Sequence, residues 1–202
     1  MSAAVALAAG GARIGPNAIT QVAHALAARH GPAGAARVFS LAGLSHYLAD
    51  PPAEMVPEED VTALSLALRG CLPERAARDV ARDAGRATAE YLLDRRIPRA
   101  AQASLRVLPA RLAARLLVAA IRRHAWTFAG SAAFEARTGR VVVLSLGDNP
   151  LCRGMAGSEP ACDYFAATFE RLFRALVHPG ATVTEVECEA AGGCACRFEI
   201  RW

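Results

Sequence analysis

Apolar positions along the chain change period near residue 125. Upstream they recur every three to four residues, the spacing of one helix face. Ile19, Val22, Ala23 and Leu26 predict a first helix over Asn17–Arg29, stopped at Gly31-Pro32. A second, Ala35–Ala49, ends at Asp50-Pro51-Pro52, and a third spans Glu58–Arg69. Pro73 suits a first helical turn and opens a fourth helix that runs to Arg95, with Ala77, Val80, Ala84, Ala87 and Tyr91 along one face. Pro98–Arg123 reads as a fifth, broken or kinked at Pro109 because the ring clashes with the preceding turn.

Downstream, alternation takes over. Trp126–Arg137 and Arg140–Leu146 read as two strands joined at Thr138-Gly139. Ser158-Glu159-Pro160 is a helix start, and that helix runs to Val177, where His178-Pro179-Gly180 stops it. Ala181–Cys188 and Cys196–Trp202 are two further strands turning around Gly192-Gly193. Helices first, then strand, strand, helix, strand, strand, predicts an α+β fold. Its antiparallel sheet of about four strands lies in the C-terminal half, packed with helices, and the N-terminal half is helical. Residues 1–14 read as a loose segment and 15–202 as one domain, whose metal-binding part is 149–202.

The chain has 202 residues, 53% hydrophobic and 21% charged, which suits one domain with a core and excludes a disordered chain. A net charge of +4 is spread along the helices instead of forming a block, which argues against nucleic acid as a partner. No run of eighteen apolar residues provides a transmembrane segment. Met1–Gly11 lacks the basic region that precedes the apolar part of a secretory signal, so a soluble cytoplasmic protein is expected.

Six cysteines are present, five of them after residue 150. In a reducing compartment that clustering favours a metal site over a disulfide framework. Cys162 lies in the first turn of the last helix, on the stripe of Phe165, Phe169, Leu172, Phe173 and Leu176, where the helix N-terminus favours a thiolate. Cys188 and Cys196 are symmetric about Gly192, so a hairpin turning there brings them together. Cys196 shares a strand face with Phe198, Ile200 and Trp202. Glu185 is three residues before Cys188, so the strand must bulge or twist for both to reach one ion. Three thiolates and a carboxylate suit a closed, structural tetrahedral Zn²⁺ site and argue against Mg²⁺ or Ca²⁺. Cys194 is expected to be exposed at the turn, Cys152 reads as a loop residue, and either is a substitute ligand; Cys71 is expected in the core.

At these residues the chain resembles the four-vinyl-reductase domain family. The pattern is Cys162, Tyr164, Glu185-x-x-Cys188 and Cys196-x-Phe198. In the family's phenol-sensing transcription activators residues at this spacing bind zinc, which implies Cys162, Glu185, Cys188 and Cys196 as ligands. The family is similar in fold to vesicle-tethering transport-particle subunits, and the resemblance implies an α+β domain, a hydrophobic pocket and a homodimer. Asn149-Pro150-x-x-Arg153-Gly154 through Gly157-Ser158-Glu159-Pro160-x-Cys162-Asp163-Tyr164 resembles the family's stand-alone bacteriochlorophyll-biosynthesis members. For those the implied roles are two. One is an 8-vinyl (4-vinyl) reductase of divinyl chlorophyllide-type substrates. The other is a carrier presenting a Mg-tetrapyrrole of the Mg-porphyrin or protochlorophyllide type to other enzymes of the pathway.

A reductase needs a place for its reductant. No Gly-x-Gly-x-x-Gly follows a strand, and the cysteine spacing matches no iron–sulfur signature, so the carrier reading is preferred. A carrier needs an apolar pocket, cations for the propionates and an axial ligand for the central Mg²⁺. Phe128, Phe134, Phe165 and Phe169 are the candidate lining, and Arg122, Arg123 and Arg153 the candidate cations. His124 beside Trp126, and then His46 beside Tyr47, are the candidate axial region.

Overall fold

The computed structural model describes residues 11–202. Helix α1 spans Asn17–Leu41, with Gly31 at φ 71 before Pro32. Only glycine takes that conformation cheaply. Gly31-Pro32 therefore kinks one helix, where the sequence suggested a stop. A turn with Gly43 at φ 73 follows, and the short α2, His46–Ala49, completes the segment. Next come α3, Glu58–Cys71, and α4, Glu74–Tyr91, which continues as a π turn over Leu92–Arg96. Helices α5, Arg99–Val107, and α6, Ala110–Arg123, are separated at Pro109, as the ring clash predicts. Two short strands, β1 (Arg13–Ile14) and β2 (Val56–Pro57), pair antiparallel. Residues 13–14 of the segment expected to be loose are thus tied down; its first ten residues lie outside the described ones.

The strand expected over Trp126–Arg137 is overturned for its first half. Ala125–Thr127 forms a single 3₁₀ turn, and strand β3 covers only Ala133–Arg137. A buried carboxylate explains this. Glu58 of α3 accepts from the Ser131 backbone N–H and from its hydroxyl, both at 2.7 Å. At Gly130, φ 61, a Cβ would fall 2.3 Å from the same carboxylate. The segment is anchored to α3 and cannot join the sheet.

Strand β4, Val142–Gly147, follows, then α7, Asp163–Leu176, β5, Thr182–Glu187, and β6, Cys196–Arg201. The sheet is antiparallel in the order β3-β4-β6-β5. This is the α+β arrangement the sequence predicts. Helix α7 begins at Asp163, not Ser158. The Gly157 N–H donates to the Ala190 carbonyl at 2.7 Å, which holds the preceding loop against the β5–β6 connection. Buried Asp163 then anchors the start through Arg69, Arg78 and Arg82, at 3.5, 3.2 and 3.0 Å.

Helix α7 is packed between the sheet and α4. On the sheet side Phe165 and Phe169 stack with their centroids 5.8 Å apart, and Phe169 meets Phe198 of β6 edge-on at 5.5 Å. On the α4 side the backbones nearly touch. A Cβ on Gly85 would lie 2.2 Å from the Tyr164 carbonyl oxygen, so only glycine allows this crossing. Hydrogen bonds seal it: Thr168 Oγ1 lies 3.0 Å from the Gly85 carbonyl, and Thr88 Oγ1 lies 2.7 Å from the Tyr164 hydroxyl.

Candidate metal centre

Four buried sulfurs meet where the loop after β4, the start of α7 and the last two strands converge: Cys152, Cys162, Cys188 and Cys196. All lie within 4.8 Å of one another. Four of the separations are 3.3 Å (Cys152–Cys196), 3.4 Å (Cys162–Cys196), 3.8 Å (Cys188–Cys196) and 4.0 Å (Cys162–Cys188). A tetrahedron of thiolates at metal–sulfur bonds of about 2.3 Å has edges of about 3.8 Å. The observed spacings bracket that value, and no pair is disulfide-bonded. The cage can hold one tetrahedral ion, and its soft sulfur donors suit zinc or iron, not Mg²⁺ or Ca²⁺.

Each ligand position has a local cause. Cys162 is the N-cap residue of α7. Cys188 precedes a 3₁₀ turn, Glu189–Ala191, which ends at Gly192 with φ 84. At Gly193 a Cβ would fall 2.6 Å from Glu187 Cγ and 2.9 Å from the Cys188 carbonyl oxygen, so the chain turns back close enough for Cys196 to face Cys188. The symmetric hairpin of the sequence is realised with that turn inserted.

Cys152 is the sulfur the sequence placed in a loop. Glu189 accepts from the backbone N–H groups of Asp148 and Asn149, the latter at 2.8 Å. Asn149 is fully buried; its Oδ1 accepts from the Leu151 N–H at 3.1 Å, and its Nδ2 donates to Cys162 Sγ at 3.1 Å. The turn so held folds Cys152 over the start of β6. Asn149 and Glu189 position the centre, and only the Asn149-Pro150 turn signal marked this stretch in the sequence.

Glu185, expected as the fourth ligand, is not among the four mutually close donors. The strand does bulge where that expectation required it, between Glu185 and Glu187. The bulge brings the carboxylate beside the centre, where Oε2 accepts from the Cys162 backbone N–H at 2.9 Å. Its Oε1 is buried with no hydrogen-bond partner. Burial, and next the Cys188 sulfur, push this carboxyl up to about 9. Among the sulfurs Cys188 is held lowest, because the thiols of Cys152, Cys162 and Cys196 and the Ala161 N–H all point at it. Cys162 is raised by the same three sulfur neighbours and by burial. Cys194 is exposed, as expected, and Cys71 is half-buried against the core.

The candidate ligand residues do not gather into one pocket. Phe128, Phe165 and Phe169 join Phe134 and Phe198 in an aromatic cluster, with Phe128 5.9 Å from Phe165 and 6.3 Å from Phe169. These rings fill the core and line no cavity. His124 caps the end of α6 and is exposed, and Trp126 beyond it is 62% exposed. Arg153 is held elsewhere, by Glu58 and by Asp148, both at 3.0 Å. His46 and Tyr47 sit in α2.

A groove of about 460 Å³ opens instead on the far side of α7 from the aromatic rings. Helix α4 contributes Arg78, Arg82 and Arg86 and α7 contributes Arg171 and Arg174, over a floor including Ala166 and Ala167. Glu185 lines its end, so the groove abuts the sulfur cage. The arginines belong to two helices far apart in sequence, and no linear motif announces them.

The four-vinyl-reductase (4-vinyl reductase) domain model matches residues 142–202. Two proteins called bacteriochlorophyll synthase 23 kDa chain, from Cereibacter sphaeroides and Rhodobacter capsulatus, are each 45% identical over 188 residues. The alignments cover 93% of this chain, and 90% and 86% of theirs. An H-NOX protein from S. oneidensis in the Fe(II)NO ligation state aligns at TM-score 0.48 and 12% identity, over 93% of this chain and 98% of that one; so slight a likeness carries no argument. The family match contains all four clustered cysteines, and the likeness to the 23 kDa chains runs over nearly the whole length, so this chain belongs to the four-vinyl-reductase domain family, among its bacteriochlorophyll-biosynthesis members.

Proposed function

We propose that the protein binds a Mg-tetrapyrrole intermediate of bacteriochlorophyll synthesis and carries it to other enzymes of the pathway, with a structural zinc ion in the sulfur cage. The observation that supports it best is the arginine-lined groove of about 460 Å³ beside that cage. Its volume is within the range of ligand sites, and guanidinium groups suit the propionates of a chlorophyllide-type ligand. Four protein sulfurs complete a tetrahedron and leave no open position, which favours a structural over a catalytic metal. The names of the 23 kDa relatives favour the pathway.

In this reading the ligand's carboxylates lie in the groove and its ring plane extends outward. Phe128, Phe165 and Phe169 stiffen the helix behind it, and Arg153 ties the metal loop to α3 instead of touching pigment. His124 and Trp126 stay outside the groove. The protein is cytoplasmic and dimeric, and sedimentation of the purified chain checks the dimer.

Titration of the purified protein with Mg-protoporphyrin IX tests the proposal. The Soret band is expected to shift and saturate at one equivalent, and the dimethyl ester, lacking the carboxylates, to bind at least tenfold more weakly. Equal binding of acid and ester would remove the groove from the account. Monovinyl product beyond one turnover, from divinyl chlorophyllide and NADPH, would replace the carrier with the vinyl reductase.

A further inference from the structure

Between Asp94 and Glu135 the sequence holds eight arginines and no acidic residue. The structure gathers this imbalance on one feature, the hairpin of α5 and α6. The inner face of α6 is buried through Ala113, Ala114, Leu117, Val118 and Ile121. Its outer face is apolar at Leu112 and Leu116, 43% and 48% exposed and one turn apart. Ala119 and Ala120 continue that exposed face. Val107 at the end of α5 is 83% exposed, and Trp126 follows α6 in the chain. Arg111, Arg115, Arg122 and Arg123, all exposed, flank the apolar residues.

These arginines differ from those elsewhere. Among the described residues, none of the eight has an acidic partner. The arginines of α4 and α7 around the groove, by contrast, all pair with Asp or Glu. A helix face joining unpaired arginines to solvent-exposed leucines and a tryptophan matches an interface carrying both negative charge and apolar depth. An anionic lipid surface has both. No helix of the described residues is long and apolar enough to cross a membrane, so the contact is peripheral.

We infer that the outer face of α6, with Val107 and Trp126 beside it, lays the protein on an anionic bilayer surface, leucine and tryptophan side chains entering among the acyl chains and arginines pairing with lipid phosphates. The inference is independent of the ligand in the groove. The arginine-lined groove itself lies on the α4–α7 side, so a membrane-seated molecule keeps it free for exchange.

Vesicle flotation tests this. The intact chain is offered vesicles of phosphatidylcholine alone and of phosphatidylcholine with one third phosphatidylglycerol. Binding to the anionic vesicles is expected, at least tenfold stronger than to neutral ones and falling as salt is raised. In the Trp202→Phe protein, Trp126 is the only indole; its emission should move to shorter wavelength on binding and be quenched by brominated acyl chains. Arg111→Gln with Arg115→Gln, and separately Leu112→Ser with Leu116→Ser, should each reduce binding at least tenfold while circular dichroism and metal content stay unchanged. Absence of flotation with anionic vesicles overturns the inference, as does unchanged binding in both variants. A dimer that Leu112→Ser with Leu116→Ser turns into monomer also overturns it, because the face would then be covered by a second copy of this chain.

Discussion

The side-chain amide of Asn149 donates to the sulfur of Cys162 at 3.1 Å, and the same residue's carbonyl oxygen caps the Leu151 N–H at 3.1 Å. One fully buried amide thus fixes both the loop that carries Cys152 and the sulfur at the start of α7. Replacing it with alanine leaves a buried N–H unpaired and frees the loop. Hydrogen-bonding groups behind a metal ligand typically contribute about 10–100-fold in affinity. Asn149→Ala is therefore expected to lower metal affinity by about that factor and stability by about 1–3 kcal/mol. Chelator competition and denaturant unfolding measure the two; unchanged affinity would make Asn149 a packing residue only.

The ligand set is decided by a pair of substitutions. Cys152→Ser should lose most of the metal from a protein expected to hold one ion per chain, because a hydroxyl is a poor substitute for a buried thiolate. Glu185→Gln keeps an acceptor for the Cys162 N–H, and should retain the ion. Elemental analysis after gel filtration separates the alternatives, and the reverse pattern would restore Glu185 as the fourth ligand in place of Cys152.

The convergence of Cys162, Cys188 and Cys196 was legible because local patterns carry it: a helix start, a turn at Gly192 and an alternating strand. The bulge was legible too, as the only way for Glu185 and Cys188 to share a side. Cys152 was not. Its place depends on Glu189 reaching back forty residues to the Asp148 and Asn149 N–H groups, a tertiary contact without periodicity. Trp126 misled for a similar reason. Its neighbours alternate like a strand, but Glu58 captures Ser131 and holds the chain off the sheet. The groove was hidden because Arg82 and Arg174 become neighbours only once Gly85 lets α4 and α7 close on each other.

That close approach gives a stability prediction. Gly85→Ala places a methyl group where the Tyr164 carbonyl lies 2.2 Å away, against backbone that cannot rotate aside. Alanine is intrinsically the better helix former by about 1 kcal/mol, so a free surface site would be stabilised. Overpacking costs about 1–3 kcal/mol and is expected to win here. Net destabilisation with loss of the Thr88–Tyr164 hydrogen bond should appear as a lower thermal midpoint. A raised midpoint would mean that the two helices separate without cost.

Glu58 sets an acid limit. Burial pushes its carboxyl up, but the Ser131 hydroxyl and N–H and the Arg153 guanidinium outweigh this and hold it below its ordinary 4.5. In that range the unfolded chain binds the proton more readily than the folded one. The contribution to stability is thus full above 4.5 and is lost as pH falls through the folded value. Glu58→Gln should cost about 1–3 kcal/mol at neutral pH, from the lost charge-assisted hydrogen bonds. The gap from the native protein should narrow toward pH 3, as both side chains become neutral. Urea midpoints at pH 7 and pH 3 give the comparison; a gap of constant size would assign the acid sensitivity to other carboxylates.

The groove can be probed without disturbing its frame if the arginine is chosen by its partners. Arg78 and Arg82 both hold buried Asp163, so replacing either loosens the start of α7 as well as any ligand contact. Arg174 also donates to the Ala181 carbonyl. Arg86 is half exposed, and its ion pair is with Asp83 on its own helix at 3.4 Å, a surface contact of about 0.3–0.5 kcal/mol. Arg86→Gln should leave stability within about 0.5 kcal/mol. If its guanidinium meets a ligand carboxylate, the lost charge-assisted hydrogen bond, about 1.5–3 kcal/mol, weakens binding of Mg-protoporphyrin IX by about 10–100-fold. The dimethyl ester should lose little, since it offers no carboxylate to lose. Porphyrin fluorescence titrations of both proteins with both ligands complete the cycle. Equal losses for acid and ester would show that Arg86 supports the groove's shape without reading the ligand's charge.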